Sequence, residues 1–224
     1  MGARIRVLIV DDHAMVRRGM RDFLDLHDDL EVVGEASDGV AALEATATLL
    51  PDVVVMDLVM PGLDGIATTA ELKARHPAIE VVAITSFIEE DRIAAAIEAG
   101  ASGFLLKDAE ADDLAAAIRS AHGGEVYLDP AVAGIVARRM RTNPRGGQAG
   151  PAATTGLDRL TSRERDVLGC LARGLSNRAI AEELGMAERT ARTHVSNILA
   201  KLGVRSRVEA ATMAHRLGVV EPQS

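Results

Sequence analysis

Cysteine is almost missing from this chain: Cys170 is the only one in 224 residues. An internal disulfide is therefore excluded, and the fold does not depend on oxidation. The neighbours Val167, Leu168 and Leu171 mark Cys170 as a small core residue rather than a reactive thiol. Long apolar runs are also absent, none approaching the roughly 20 residues that span a bilayer, so membrane insertion is not expected. The first residues read as a strand rather than a signal peptide, because Arg4 and Arg6 break the apolar stretch and no cleavage motif follows. A soluble, cytoplasmic protein is the expectation. Positive charge is scarce in one region only. Residues 1–130 carry 10 Lys and Arg against 25 Asp and Glu; residues 131–156 carry 4 and 0, and residues 157–224 carry 11 and 8. The length allows one or two domains, each with its own core. An acidic first part and a mildly basic last part permit a nucleic-acid partner for the latter.

The run from Pro51 to Gly65 organises the first half. Val53 to Met56 is continuous, mostly β-branched and apolar, which suits a strand buried on both faces of a parallel sheet. Asp57 follows at once, and then Pro61-Gly62 and Asp64-Gly65 impose turns. Alone, such an aspartate is most often a turn or cap residue. Three further strand ends change the weighing. A strand over Arg4 to Val10 ends in Asp11-Asp12, one over Glu80 to Ile84 in Thr85-Ser86, and one over Ser102 to Leu106 in Lys107. Adjacent parallel strands bring these ends together, where open α/β sheets place their ligands. Clustered carboxylates repel unless a hard cation joins them, and Mg²⁺ takes one or two carboxylates plus water and phosphate oxygens. A carboxylate beside such a cation can act as a nucleophile and form an aspartyl-phosphate, whose oxygens Lys107 and Thr85 could bind.

These residues carry a resemblance. Asp11-Asp12, the Met56-Asp57 to Asp64-Gly65 run, Thr85-Ser86 and Gly103-Phe104-Leu105-Leu106-Lys107 resemble the receiver domain of a two-component response regulator over about residues 4–122. The resemblance implies that Asp57 is the phosphoryl acceptor. It implies that Asp12, Asp57 and the backbone carbonyl of Val59 bind Mg²⁺, with Asp11 in support. Lys107 and Thr85 would contact the phosphoryl group, and Phe104 would be the switch aromatic.

Between the strands, helical spacing appears at Ala14 to Leu26, Val40 to Leu50, Ile66 to Arg75, Asp91 to Ala99 and Ala111 to Ala121, with a second strand over Glu31 to Glu35. Five βα repeats predict a doubly wound α/β domain over residues 1–122, for which the resemblance implies sheet order 2-1-3-4-5. Residues 123–156 read as a linker with a short helix near 130–141; Thr142 to Gly156 lacks apolar periodicity altogether. Residues 157–224 are expected to form an all-α, four-helix domain. Thr161 to Glu164 and Ser206 to Glu209 are capping boxes, Ser176 can cap a second helix, and Gly174 and Gly185 close two helices. The second and third helices describe a helix-turn-helix.

On the third helix Ala191, Val195, Ile198, Leu199 and Leu202 share one face. Arg189, Thr193 and Ser196 lie opposite, flanked by Arg192 and Asn197. A polar face is usually only solvated, but its place after a Gly turn and its arginines favour a recognition helix. Leu160 to Arg165 and Thr190 to Leu202 resemble the LuxR-type DNA-binding domain, and the two halves together resemble the NarL/FixJ class. Arg189, Arg192, Thr193 and Ser196 would then face the major groove of promoter DNA, and Lys201 would reach phosphate. Ala187 departs from the family's Ser or Thr cap, and Ala191 from its usual Val. Asp57-Leu58-Val59-Met60 and Thr85 to Asp91 resemble the LiaR/VraR branch of that class.

The class implies a sensor histidine kinase as phosphodonor, a homodimer on activation, and no enzyme activity beyond the receiver's own phosphoryl transfer and autodephosphorylation. Two other readings fare worse. An aspartyl phosphatase of the haloacid dehalogenase type carries a second Asp two residues beyond its nucleophile, and here Val59 stands there. A ligand-gated LuxR-type regulator would need an apolar cavity where this chain has an acidic pocket.

Overall fold

The computed structural model describes residues 4–135, 157, 159–217 and 219. It divides into two units, Met1–Arg141 and Thr142–Ser224. In the first, five strands alternate with five helices: β1 (Ile5–Val10), α1 (Ala14–Leu24), β2 (Leu30–Ala36), α2 (Gly39–Leu49), β3 (Val53–Asp57), α3 (Gly65–Arg75), β4 (Glu80–Thr85), α4 (Glu90–Ala99), β5 (Gly103–Leu106) and α5 (Ala111–Gly123). All pairings are parallel, in the order β2-β1-β3-β4-β5 that the receiver resemblance implied, and a short β6 (Tyr127–Leu128) extends the sheet beside β5.

The two-residue period of a strand explains the layering. Val7, Ile9, Val53, Val55, Val82 and Ile84 face one side, where Leu24 of α1 and Leu114, Ala115 and Ile118 of α5 cover them. Leu8, Val10, Val54 and Met56 face the other, against Ala42 of α2 and Leu72 of α3. Every residue of β3 is buried, including Asp57, so this strand carries a carboxylate through the middle of the core.

Strand β6 was not foreseen, because two residues are too short to show an alternating pattern. It sets Tyr127 beside Gly103, and the Tyr127 hydroxyl donates to Asp113 Oδ1 at 2.8 Å. Residues 130–135 are helical, within the short helix expected near 130–141; the remainder of that expected helix and Thr142 to Gly156 lie outside the described residues. Val132 and Ile135 pack with Phe104, Leu58 and Ile93.

The second unit comprises α6 (Ser162–Ala172), α7 (Asn177–Leu184), α8 (Glu188–Leu202) and α9 (Arg207–Arg216). The capping box at α6 is complete: Thr161 Oγ1 accepts from the Glu164 N–H, and Glu164 accepts from the Thr161 N–H. The box at α9 closes differently, since the Glu209 carboxylate takes the N–H of Arg205 rather than that of Ser206. Gly174 and Gly185 end α6 and α7 with positive φ, as expected of helix C-termini. Ala191, Val195, Ile198 and Leu199 of α8 are buried on one core with Val167, Leu168, Cys170 and Leu171.

A buried lysine joins α3 to β4. Lys73 is 2 % exposed, and its ammonium donates to the carbonyls of Pro77 (3.3 Å) and Ile79 (2.9 Å) and pairs with Glu80 Oε2 (3.2 Å). Glu80 also accepts from the Ser102 hydroxyl at the start of β5. Removing one member of a buried ion pair leaves the other uncompensated, which is strongly destabilising. Lys73→Met keeps the volume but not the charge, and is expected to lower the stability of the first unit by about 3 kcal/mol in urea denaturation.

Candidate functional site

The four strand ends meet as their sequence implied. Asp11 follows β1, Asp57 ends β3, Thr85 ends β4 and Lys107 follows β5. Strand β4 fixes its neighbours: Leu58 N–H donates to the Ile84 carbonyl (3.0 Å) and Lys107 N–H to the Thr85 carbonyl (2.9 Å). The Lys107 ammonium then lies 2.7 Å from both Asp57 Oδ2 and Asp11 Oδ2. Asp57 Oδ1 accepts from the Val59 N–H at 3.0 Å, and Asp11 Oδ1 from the His13 N–H at 2.8 Å.

Burial pushes the Asp57 carboxyl above the usual carboxylate range, against the pull of the Lys107 and Val59 hydrogen bonds; the charge of Asp11 adds to the rise. For Lys107, burial alone would lower the pKa, but its bonds to Asp11 and Asp57 outweigh that and hold the ammonium above its ordinary value. Three carboxylates with one ammonium leave a net negative pocket.

Asp11, Asp12, His13 and Asp57 each place one ligand atom within 4.8 Å of the others. Three carboxylate oxygens at that spacing suit a hard divalent cation, which accepts oxygen donors and keeps waters. His13 was passed over in the sequence because an exposed histidine beside two acids carries no spacing signal. Its Nδ1 lies 2.7 Å from Asp12 Oδ1, so the ring occupies Asp12. Val59 is present at the pocket through its N–H, and its side chain is exposed.

The remaining expected residues are buried nearby without joining the carboxylates. The Thr85 hydroxyl donates to the Phe87 carbonyl (3.3 Å) and accepts from its N–H (3.4 Å), both long bonds. Phe104 is 2 % exposed, packed among Leu58, Ile93, Ala96 and Val132. Phe87 stands out at 67 % exposed.

In the second unit, α7, the Gly185 turn and α8 form the helix-turn-helix. Arg189, Thr193 and Asn197 are exposed, and Arg192, Ser196 and Lys201 are half-buried. The Thr193 hydroxyl donates to the Arg189 carbonyl (3.0 Å). Ala187 gives α8 no side-chain cap, as its methyl group dictates. His194 belongs to no metal-binding group among the described residues. Lys201 is engaged: its ammonium bonds both oxygens of Glu164, at 2.7 and 2.6 Å, and Glu164 is 3 % exposed. The pair bolts the end of α8 to the start of α6, a contact 37 residues apart that no local pattern announces.

An acidic pocket on a parallel sheet, followed by a helix-turn-helix unit, fits the class of two-component response regulators with a LuxR-type DNA-binding domain. The comparisons agree. Residues 7–119 match the response regulator receiver domain, and residues 158–214 match the bacterial regulatory proteins of the luxR family. The chain is 44 % identical to the transcriptional regulatory protein LiaR of Bacillus subtilis, over 95 % of this chain and 97 % of that one. It is 38 % identical to the nitrate/nitrite response regulator NarL of Escherichia coli, over 94 % of each. Among solved structures, the response regulator ChrA of a heme-sensing two-component system is 39 % identical, with a TM-score of 0.52 over 98 % of this chain and 100 % of that one. The chain belongs to the response regulators of the NarL/LuxR type.

The Glu164–Lys201 pair yields a test with a pH signature. The Lys201 bond, and after it the Thr161 N–H, hold the Glu164 carboxyl below its usual range. A depressed carboxylate contributes stability that is fully present above the unfolded value, about 4.3, and lost as pH falls through the folded value. Lys201→Met is expected to lower the stability of the second unit by about 1–3 kcal/mol at pH 7. The difference from the parent should shrink in urea denaturation as pH falls from the unfolded value through the depressed folded value, below which Glu164 is neutral in both.

Proposed function

We propose that Asp57 accepts a phosphoryl group from the phosphohistidine of a sensor histidine kinase, with Mg²⁺ bound, and that this drives dimerisation and promoter binding. The carrying observation is the Lys107 ammonium set 2.7 Å from Asp57 in a pocket of three carboxylates. An Asp57 carboxylate oxygen attacks phosphorus as the P–N bond breaks, and the imidazole leaves with a proton. Lys107 can follow the phosphoryl oxygens without losing Asp11, since it already bonds both acids. Asp11, Asp12, Asp57 and the Val59 carbonyl would hold Mg²⁺, whose charge would offset that of the carboxylates and the incoming group. Thr85 would exchange its long bonds at Phe87 for a phosphoryl oxygen, and Phe104 and the α4 face would move with it. The chain turns over no separate substrate and acts in the cytoplasm, in line with described helices too short or too polar to cross a membrane.

In the dimer, two α8 helices would read half-sites about 10 bp apart. Arg189, Arg192, Thr193 and Ser196 supply the reading face. Lys201 adds phosphate contact only by releasing Glu164, so its main role here is structural.

Two outcomes test this reading. With acetyl phosphate and Mg²⁺, the parent should gain one phosphoryl group by mass, and Asp57→Asn none; uptake by the variant at the parental rate would rule Asp57 out. In competition binding, Arg192→Ala should lower preference for the cognate site over scrambled DNA by about 1–3 kcal/mol. Equal loss for both sequences would make Arg192 a phosphate contact instead.

A further inference from the structure

Arg92 occupies the first turn of α4, where a cation opposes the helix dipole. The acids Glu90 and Asp91 suit that position; an arginine does not. Its guanidinium is turned away toward the pocket loop, where Nη2 donates to the carbonyl of Leu58 at 2.7 Å. Its Nε is buried without a hydrogen-bond partner. The Leu58 carbonyl and the Val59 N–H are the two ends of one planar peptide group. The far end of that peptide donates to Asp57 Oδ1 at 3.0 Å. Arg92 and the acceptor carboxylate are thus joined through a single rigid amide.

The same stretch is gripped from every other side. Leu58 N–H is bound to Ile84, the Gly65 N–H approaches the Leu58 carbonyl at 3.4 Å, and the Leu58 side chain is 1 % exposed against Ile93, the residue after Arg92. The backbone of Gly65 packs so closely on this turn that no side chain fits there: a Cβ would lie 1.9 Å from the Asp57 carbonyl oxygen. A charged donor on a carbonyl polarises the amide and strengthens the bond that its N–H donates.

We propose that Arg92 is a positioning residue for the chemistry of Asp57: through the Leu58–Val59 peptide it aims and polarises the N–H that holds the acceptor oxygen. The reading of Asp57 as acceptor underlies this inference. Because Arg92 also anchors the first turn of α4, movement of that helix and the orientation of the acceptor become one event. An α4 that withdraws takes the guanidinium from Leu58 and loosens the Val59 N–H at the same moment.

The experiment uses the full chain with ¹⁵N-valine labelling. In Arg92→Met, which keeps the stem and removes the donor, the Val59 amide proton is expected to move upfield without phosphodonor present. Phosphorylation by acetyl phosphate with Mg²⁺ should slow about three- to tenfold, the size of one hydrogen bond expressed as a rate. Arg92→Lys, which can still reach with one donor, should recover part of both. An unmoved Val59 amide overturns the proposal, even if Arg92→Met lowers stability, because packing alone would then explain the residue. A displaced amide with an unchanged rate overturns it as well. A parent chain that takes up no phosphoryl group would sink the acceptor reading itself, a result visible without any change at Arg92.

Discussion

The first unit depends on one ammonium group. Among the described residues Lys107 is the one whose cationic group lies within bonding distance of both Asp11 and Asp57, and both acids are nearly out of reach of water. Buried carboxylates without a partner would be costly, by several kcal/mol each. Lys107 stands where it does because its own N–H is bound to β4, as is that of Leu58 on the other side. The sheet therefore sets the spacing of charge in the pocket, and side chains adjust only within it. One ammonium does not neutralise three carboxylates, so the pocket remains short of positive charge by design of its backbone.

The helical unit uses the same device with fewer members. Glu164 closes the capping box of α6 and holds Lys201 of α8 with the same carboxylate. One buried acid thus terminates one helix and orients another. The orientation of the outer face of α8 follows from this pair together with the apolar contacts of Val195, Ile198 and Leu199.

What could be read in the chain beforehand was whatever repeats along it or sits at a strand end. Val53 to Asp57 announces a buried strand carrying an acid, and the ordered set Asp11, Asp57, Thr85 and Lys107 follows from parallel strands sharing one edge. The four helices of the second unit were legible through Thr161, Ser176, Ser206 and their glycines, because caps are local. Strand β6 was hidden by its length. Lys73, Arg92 and Lys201 were hidden for another reason: each looks like an ordinary helix-surface cation until the fold brings up its partner, 34 residues away for Arg92 and 37 for Lys201. Thr85 and Phe104 were recognisable, but their present partners, a backbone amide and a cluster of apolar side chains, depend on loops that periodicity does not describe.

Tyr127 on β6 has an optical consequence. It is the only tyrosine, there is no tryptophan, and Phe23, Phe87 and Phe104 all lie in the first unit with it. Absorption at wavelengths longer than the phenylalanine bands, and the emission it excites, therefore come from one phenol, hydrogen-bonded to Asp113 beside the strand that carries Phe104. Any spectral change of the intact protein reports on that edge of the sheet. The DNA-binding unit is dark at 280 nm, so a proteolytic fragment of it would pass an absorbance detector unseen, and its encounters with DNA must be followed from the DNA side.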